Sequence, residues 1–274
     1  MLKQRIITAL ILAPLVLAAT FLLPLFEFKL FIAAVMTLAA WEWANLSGLK
    51  SPTQRIGYAV AVLAIIVAMK YLMIAALPVL VAALLFWCIA LGWVTTFPNS
   101  KSQWQGVGAR ALMGLFVLIP AWSGLVELKA QPSGNAWLLL LMLLVWGADI
   151  GAYFAGRRWG NKKLAARVSP GKTWAGFYGG LATSLLVAWV FGWQVALDGA
   201  QLVGLLLVCL ITALVSVLGD LLESMLKRHR GIKDSSNLLP GHGGVMDRID
   251  SLTAAAPIFA LGLILFELAN TAVV

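Results

Sequence analysis

Long apolar stretches alternate with short polar connections along the whole chain. Each stretch is close to the 20 or so residues that an α-helix needs to cross a hydrocarbon core of roughly 30 Å. The pattern therefore predicts an all-α polytopic membrane protein with about nine transmembrane helices, forming a single integral membrane domain over residues 1–274. The predicted spans are 6–23, 29–46, 56–71, 74–95, 111–127, 136–155, 174–193, 201–226 and 252–270.

Two of these assignments have alternatives. Only Lys70 to Met73 separates the third span from the fourth, so a re-entrant pair that does not cross the membrane stays open. The first apolar run extends from Ile6 to Leu23. It is longer than the roughly 7–15 apolar residues of a cleaved signal peptide, and we interpret it as a retained first helix.

Basic residues distinguish the two sides of the membrane. With the N-terminus in the cytoplasm, all of the 20 Lys and Arg residues except Lys29, Lys70 and Lys129 fall in cytoplasmic segments. Because positively charged loops favour the cytoplasmic side, we predict a cytoplasmic N-terminus and a periplasmic C-terminus. The longest polar stretches, 157–172 and 227–251, then lie in the cytoplasm, where we expect the chemistry to take place.

Composition agrees with a membrane protein. Hydrophobic residues make up 62% of the chain and charged residues 11%, against roughly 25% charged residues in a soluble domain. The cytoplasmic loops account for the net charge of +9, so we expect no nucleic-acid partner. Cys88 and Cys209 lie in apolar runs, and we expect free thiols rather than a disulfide or a metal pattern.

Five of the eleven acidic residues lie near the cytoplasmic ends of predicted spans. They are Asp149, Asp220, Glu223, Asp247 and Asp250. An Asp inside a membrane helix costs roughly 2.5–3.5 kcal/mol, so a specific role is expected. Ser216, Asp220, Glu223 and Lys227 are spaced to share one face of the eighth span. Carboxylates without His or Cys suit a hard cation, and we predict Mg²⁺ held by a set of acids. The predicted ligands are Asp220, Asp247, Asp149 and Glu223.

Ion pairing and helix capping are the alternatives for the same acids. Nearby Lys and Arg residues offer partners, and Glu223 in particular lies at i, i+4 from Lys227. Asp250 is placed to cap the ninth helix. We interpret Glu42, which two tryptophans flank near a cytoplasmic helix end, as an interfacial or packing residue.

Two polar loops have features of phosphate binding. Segment 227–251 combines several cations with glycines, among them Gly243 and Gly244, which let backbone amides turn toward an anion. His242, among these glycines, either donates to a phosphate or makes a local structural hydrogen bond. Segment 169–173, which reads SPGKT, offers a cation and two hydroxyls. An ordinary positively charged loop is the alternative interpretation.

Residues 224–250 read SMLKRHRGIKDSSNLLPGHGGVMDRID. They meet every fixed position of the pattern S-x-apolar-K-R-x4-K-D-x-small-x2-apolar-P-x-H-G-G-apolar-x-D-R-apolar-D. The chain thereby resembles the phosphatidate cytidylyltransferases, in their enteric bacterial form. The resemblance extends over the whole chain, including the segments LVWGADIGAYFAGRRWG and SPGKTWAG. Ile150 and Ala175 stand where many relatives have Thr or Ser and Glu, so no role is expected of those two side chains.

The resemblance implies a function and assigns roles. It implies a Mg²⁺-dependent nucleotidyltransferase of the bacterial inner membrane that joins CTP to phosphatidate, giving CDP-diacylglycerol and pyrophosphate for phospholipid synthesis. The catalytic set would be Asp220, Asp247, Lys233, Asp234, His242, Arg248 and Asp250. The substrate-binding set would be Ser169, Lys172, Thr173, Ser224, Lys227, Arg228, Gly243 and Gly244.

Two other functions remain as alternatives at this point. A CTP-dependent lipid kinase would use the same kinds of residue but transfer the γ-phosphate. An ion-coupled transporter would use the acids as an ion pathway, yet the chain has no paired halves with broken helices, and its acids gather toward one face. Assembly into a homodimer, the acyl-chain preference and the number of metal ions stay open.

Overall fold

A computed structural model describes residues 2–269 of the chain, without the side chains of residues 2, 3, 5, 6 and 9. Helices dominate this range, and one short β-hairpin interrupts them. The elements are α1 (Leu2–Leu22), α2 (Leu25–Ser47), α3 (Pro52–Tyr71), α4 (Ala76–Thr95), α5 (Lys101–Trp104), α6 (Val107–Ala130), α7 (Gly134–Trp159), β1 (Lys163–Ala165), β2 (Ser169–Thr173), α8 (Trp174–Gln194), α9 (Gly199–Arg230) and α10 (Met246–Leu265).

Seven helices of the described range are long and apolar enough to cross a membrane, namely α3, α4 and α6 to α10. They coincide with the third to ninth predicted spans, so the all-α polytopic class is confirmed. The first two predicted spans correspond to α1 and α2, and the count of nine crossings stays a prediction. The last predicted span, 252–270, was placed too far along the chain, because α10 begins at Met246 and ends at Leu265. The C-terminus lies outside the described residues. Cys88 and Cys209 are free thiols, as predicted.

Helix α9 is the longest element and carries much of the candidate chemistry. A capping box of Asp198 and Gln201 starts it, and Gly231 in the left-handed conformation ends it. Its 32 residues extend over about 48 Å, well beyond a hydrocarbon core of roughly 30 Å. The predicted span 201–226 lies within this helix, which continues through the basic residues up to Arg230.

Glycines allow the helices around the site to approach closely. A Cβ atom at Gly219 of α9 would lie 2.5 Å from the backbone oxygen of Asp250 on α10. A Cβ atom at Gly180 of α8 would lie 2.9 Å from the backbone oxygen of Ala148 on α7. Any side chain at either position would separate the helix pairs, so these contacts bring the acidic residues of α7, α9 and α10 together.

Segment 157–172, for which the sequence predicted only a loop, contains the hairpin. Strands β1 and β2 are antiparallel, with Lys163 opposite Thr173 and Ala165 opposite Ser169. The hydroxyl of Thr173 accepts a hydrogen bond of 3.1 Å from the amide of Gly176 and so caps α8. The hairpin therefore leads directly into α8 and places β2 beside α9.

Candidate active site

A polar cavity of about 440 Å³ opens between α7, β2, α8, α9 and α10. Its charged lining consists of Asp149 and Arg157 on α7, Lys172 on β2 and Asp220 on α9, and the hydroxyls of Ser216 and Ser251 add to it. Lys172 Nζ lies 2.6 Å from Asp220 Oδ2. The cavity thus gathers, from three parts of the chain, two predicted acids and one predicted cation.

Asp220 is the best-connected group of this cavity. Besides its ion pair with Lys172, its Oδ1 accepts a hydrogen bond of 3.1 Å from the hydroxyl of Ser224. Asp149 interacts electrostatically with Lys172, Asp220 and Arg248. Five residues predicted for the site therefore act on one another around a single space.

A second charged cluster lies against the first and is buried. Lys227 donates to Glu223 Oε2 at 2.9 Å and to Asp247 Oδ1 at 2.7 Å. The side chains of the two acids are 0% and 3% exposed, and that of Lys227 is 14% exposed. The ion-pair interpretation of Glu223 is therefore confirmed. Asp250 interacts electrostatically with both Glu223 and Asp220, so it connects the two clusters.

Asp247 also accepts hydrogen bonds from two positions of the glycine-containing segment 227–251 and so holds them close together. Its Oδ2 accepts from the amide of Ser235 at 2.9 Å, the hydroxyl of Ser235 at 2.8 Å and the amide of Gly244 at 2.7 Å. A backbone bridge between Leu239 and Gly243 tightens the turn. The anion that the Gly244 amide binds in this structure is thus the protein's own carboxylate, and substrate binding by Gly243 and Gly244 stays a prediction.

An apolar cavity of about 670 Å³ adjoins the polar one. It lies between α4, the hairpin, α8 and α9, and it is lined mainly by hydrocarbon side chains. Leu164, Phe177 and Val217 border both cavities. The two cavities are therefore neighbours, with these three side chains between them.

A sequence model of the cytidylyltransferase family matches residues 3–266. The chain belongs to this family. Proteins named phosphatidate cytidylyltransferase from Pseudomonas aeruginosa and Haemophilus influenzae are 54% and 40% identical to it, covering 95% of this chain and 96% and 98% of theirs. A third, from Bacillus subtilis, is 42% identical over 134 residues, which is 49% of each chain.

Several predicted residues of this cytidylyltransferase do not line the polar cavity. Lys233, Asp234 and Arg248 are exposed, and His242 is half-buried. The backbone amide of His242 donates to the carbonyl of Leu239 at 2.9 Å, but this bond does not involve the imidazole, so both interpretations of the side chain stay predictions. Arg228 donates through Nε to the carbonyl of Val168 at 3.2 Å and so ties α9 to the hairpin. Their contacts with substrate remain predictions.

Glu42 is a candidate functional residue for which the sequence predicted no such role. It is fully buried, and it accepts four hydrogen bonds from segment 235–246 of the cytidylyltransferase signature. The interfacial interpretation was therefore wrong, whereas the burial agrees with a packing role. The signal was present, because Glu42 also lies inside a predicted span, where an acid is costly. Its partners could not be foreseen, since they lie almost 200 residues further along the chain.

The cation-binding prediction can be tested against these positions. Within residues 2–269, no group of three or more His, Cys, Asp or Glu side chains is close enough to hold a metal ion. Mg²⁺ commonly needs only one or two protein carboxylates, with water and substrate phosphates as further ligands. Asp149 and Asp220, in one cavity with hydroxyl groups, fit that requirement. Glu223 and Asp247 fit it less well, because both are buried against Lys227 and do not line the cavity. Asp220 also pairs with a lysine, but its side chain is 29% exposed and faces the cavity.

Proposed function

We propose that this cytidylyltransferase transfers CMP from CTP to phosphatidate, giving CDP-diacylglycerol and pyrophosphate. The observation that carries the proposal is the polar cavity with its charged lining, which lies next to an apolar cavity and shares three lining residues with it. Phosphatidate has a charged phosphate group, which requires polar surroundings, and hydrocarbon chains, which require apolar ones. The relatives named phosphatidate cytidylyltransferase, which match 95% of this chain, support the same reaction.

The chemistry makes modest demands on the protein. An oxygen of the lipid phosphate attacks the α-phosphorus of CTP, the bond from that phosphorus to the bridging oxygen breaks, and pyrophosphate leaves. Because the lipid phosphate is already an anion, no protein nucleophile or general base is required. The protein must bring two anions together and offset their repulsion. Lys172, which lines the cavity, and Arg248, which interacts electrostatically with Asp149, are placed to do so.

Mg²⁺ is the expected cofactor, with Asp149 and Asp220 as its protein ligands. When bound, it would offset the negative charge of the CTP phosphates. Glu223 and Asp247 then act indirectly, since their pairing with Lys227 fixes the position of the segment before α10.

The reaction is expected at the cytoplasmic face of the bacterial inner membrane, where CTP and the lipid meet. The distribution of basic residues supports this orientation, with segment 224–250 inside and the C-terminus in the periplasm. Alkaline phosphatase, which is active only outside the cytoplasm, should be active when fused to the C-terminus and inactive when inserted into segment 235–242. The reverse result would refute the orientation.

Labelled nucleotides test the reaction itself. Purified protein should transfer label from α-labelled CTP into extracted lipid, and it should transfer none from γ-labelled CTP. The transfer should require added phosphatidate and stop with EDTA, and excess Mg²⁺ should restore it. Incorporation is measured by counting the organic phase after extraction.

Two comparisons sharpen this experiment. Label from the γ position in the lipid would overturn the assignment in favour of a CTP-dependent kinase, which releases CDP instead of pyrophosphate. Glycerol 3-phosphate has a phosphate but no acyl chains, so it should accept little label if the apolar cavity binds hydrocarbon. If glycerol 3-phosphate accepts label as fast as phosphatidate does, the apolar cavity does not bind the acyl chains of the substrate.

A further inference from the structure

Glu42 of α2 has an unusually complete set of hydrogen bonds for a buried carboxylate. It is 0% exposed. Its Oε1 accepts from the hydroxyl of Ser236 at 2.5 Å and from the amide of Val245 at 2.9 Å. Its Oε2 accepts from the hydroxyl of Ser235 at 3.1 Å and from the amide of Met246 at 2.6 Å. All four donors belong to the segment that leads into α10.

These contacts supply the N-terminal cap of α10. No side chain of the residues beside the helix start caps it, and Val245 occupies the N-cap position. The free amides and the positive end of the helix dipole stabilise an anion at such a terminus. Glu42 provides that anion from another helix, so α2 determines where the first turn of α10 lies.

The first turns of α10 contribute directly to the candidate site. They contain Asp247, Arg248 and Ser251, of which Ser251 lines the polar cavity and Arg248 interacts with Asp149. The hydroxyl of Ser235 lies 3.1 Å from Glu42 Oε2 and 2.8 Å from Asp247 Oδ2. A continuous series of contacts therefore joins Glu42 through Ser235 and Asp247 to Lys227.

Close packing around the carboxylate leaves it no alternative position. A Cβ atom at Gly244 would lie 2.5 Å from Glu42 Oε1, so only glycine fits there. Asn45, one turn further along α2, donates to the carbonyl of Ser235 at 3.1 Å. Thr8 of α1 donates to the carbonyl of Pro240 at 2.9 Å. Helices α1 and α2 thus both form hydrogen bonds with segment 235–246.

We propose that Glu42 is a positioning residue of the transferase reaction, acting through Ser235 and the first turn of α10 on the groups that face the polar cavity. The proposal rests on the proposed function and assigns Glu42 no contact with substrate. Glu42→Gln keeps the volume but replaces one acceptor oxygen by an amide NH2 group, which is a donor and would face other donors. Glu42→Asp keeps the charge on a side chain shorter by one methylene group.

The test measures kcat and KM for both substrates, together with thermal unfolding. Measured well below the unfolding temperature, Glu42→Gln should lower kcat by about tenfold or more. The KM for CTP and the KM for phosphatidate should each change by less than about threefold. Glu42→Asp should recover part of the lost kcat. Glu27→Gln, the same change at an exposed position of the same helix, should behave as wild type. A wild-type kcat in Glu42→Gln would overturn the proposal, as would a loss no greater than the loss of folded protein.

A second variant keeps the proposal testable if Glu42→Gln does not fold. Ser235→Ala removes the hydroxyl between Glu42 and Asp247 and should also lower kcat. In the double variant the two losses should not multiply, because both changes interrupt one series of contacts. If the two reductions in kcat multiply in the double variant, the two changes act independently, and the proposed series of contacts through Ser235 is refuted. Wild-type protein that transfers no α-label at all would instead refute the proposed function, so the two failures are distinguishable.

Discussion

Replacing Asp220 by Asn is expected to lower the rate of CMP transfer by at least about 100-fold, which corresponds to about 2.7 kcal/mol of activation free energy. Asn keeps the shape of the side chain and loses its charge. The change would remove the ion pair with Lys172, 2.6 Å away, and one of the two carboxylates in the polar cavity. Because Asp220 is partly exposed to the cavity, the protein should still fold. Label transfer and the unfolding temperature are measured on the same preparation.

Asp198→Asn is the matched control for this experiment. It makes the same chemical change on the same helix, but at the N-cap of α9, where Asn is as good a cap as Asp. It should retain the wild-type rate. If Asp220→Asn keeps more than about a tenth of the wild-type rate, a barrier change below about 1.4 kcal/mol, then Asp220 does not bind the cation.

Replacing Lys227 by Met should have the largest effect on stability. The change leaves Glu223 and Asp247 buried without the ammonium that joins them, at 2.9 and 2.7 Å. Removing one partner from a buried ion pair typically costs about 3–5 kcal/mol, because the remaining charge has neither water nor counter-ion. We expect a strongly lowered unfolding temperature in detergent and little activity. Lys233→Met, at an exposed position of the same segment, should leave the unfolding temperature unchanged.

A double variant separates the charge effect from the loss of packing. Lys227→Met with Glu223→Gln leaves only one buried acid without a counter-ion in place of two. It should therefore unfold at a higher temperature than Lys227→Met alone, although it differs from wild type at more positions. A double variant less stable than the single one would show that the two acids do not share Lys227 energetically.

The helical architecture was predictable because span length and hydrophobicity are local properties. The predicted spans over α3, α4 and α6 to α10 needed only about 20 apolar residues in a row. The hairpin of Lys163–Ala165 and Ser169–Thr173 was not predictable in this way. Its strands are short, and Pro170 and Gly171 within β2 are atypical of a strand.

The candidate site was predictable only as far as its contacts are local. The spacing of Glu223 and Lys227 on one helix indicated their ion pair before the structure did. The second contact of Lys227, with Asp247, crosses a loop of irregular structure, and no spacing rule covers it. Glu42 is the extreme case, because its four donors come from the other end of the chain.

That separation has a consequence for biosynthesis. The hydrogen bonds of Glu42 join residues 193 to 204 positions apart, so its partners are translated long after α2. Until segment 235–246 arrives, the nascent chain carries an acid in α2 without its native donors, at a cost comparable to the roughly 2.5–3.5 kcal/mol of an unpaired Asp. Early assembly intermediates should thus be strained at α2, and the arrival of the last translated quarter should relieve that strain. Docking of α10 is therefore expected to be the step that commits the chain to its native arrangement.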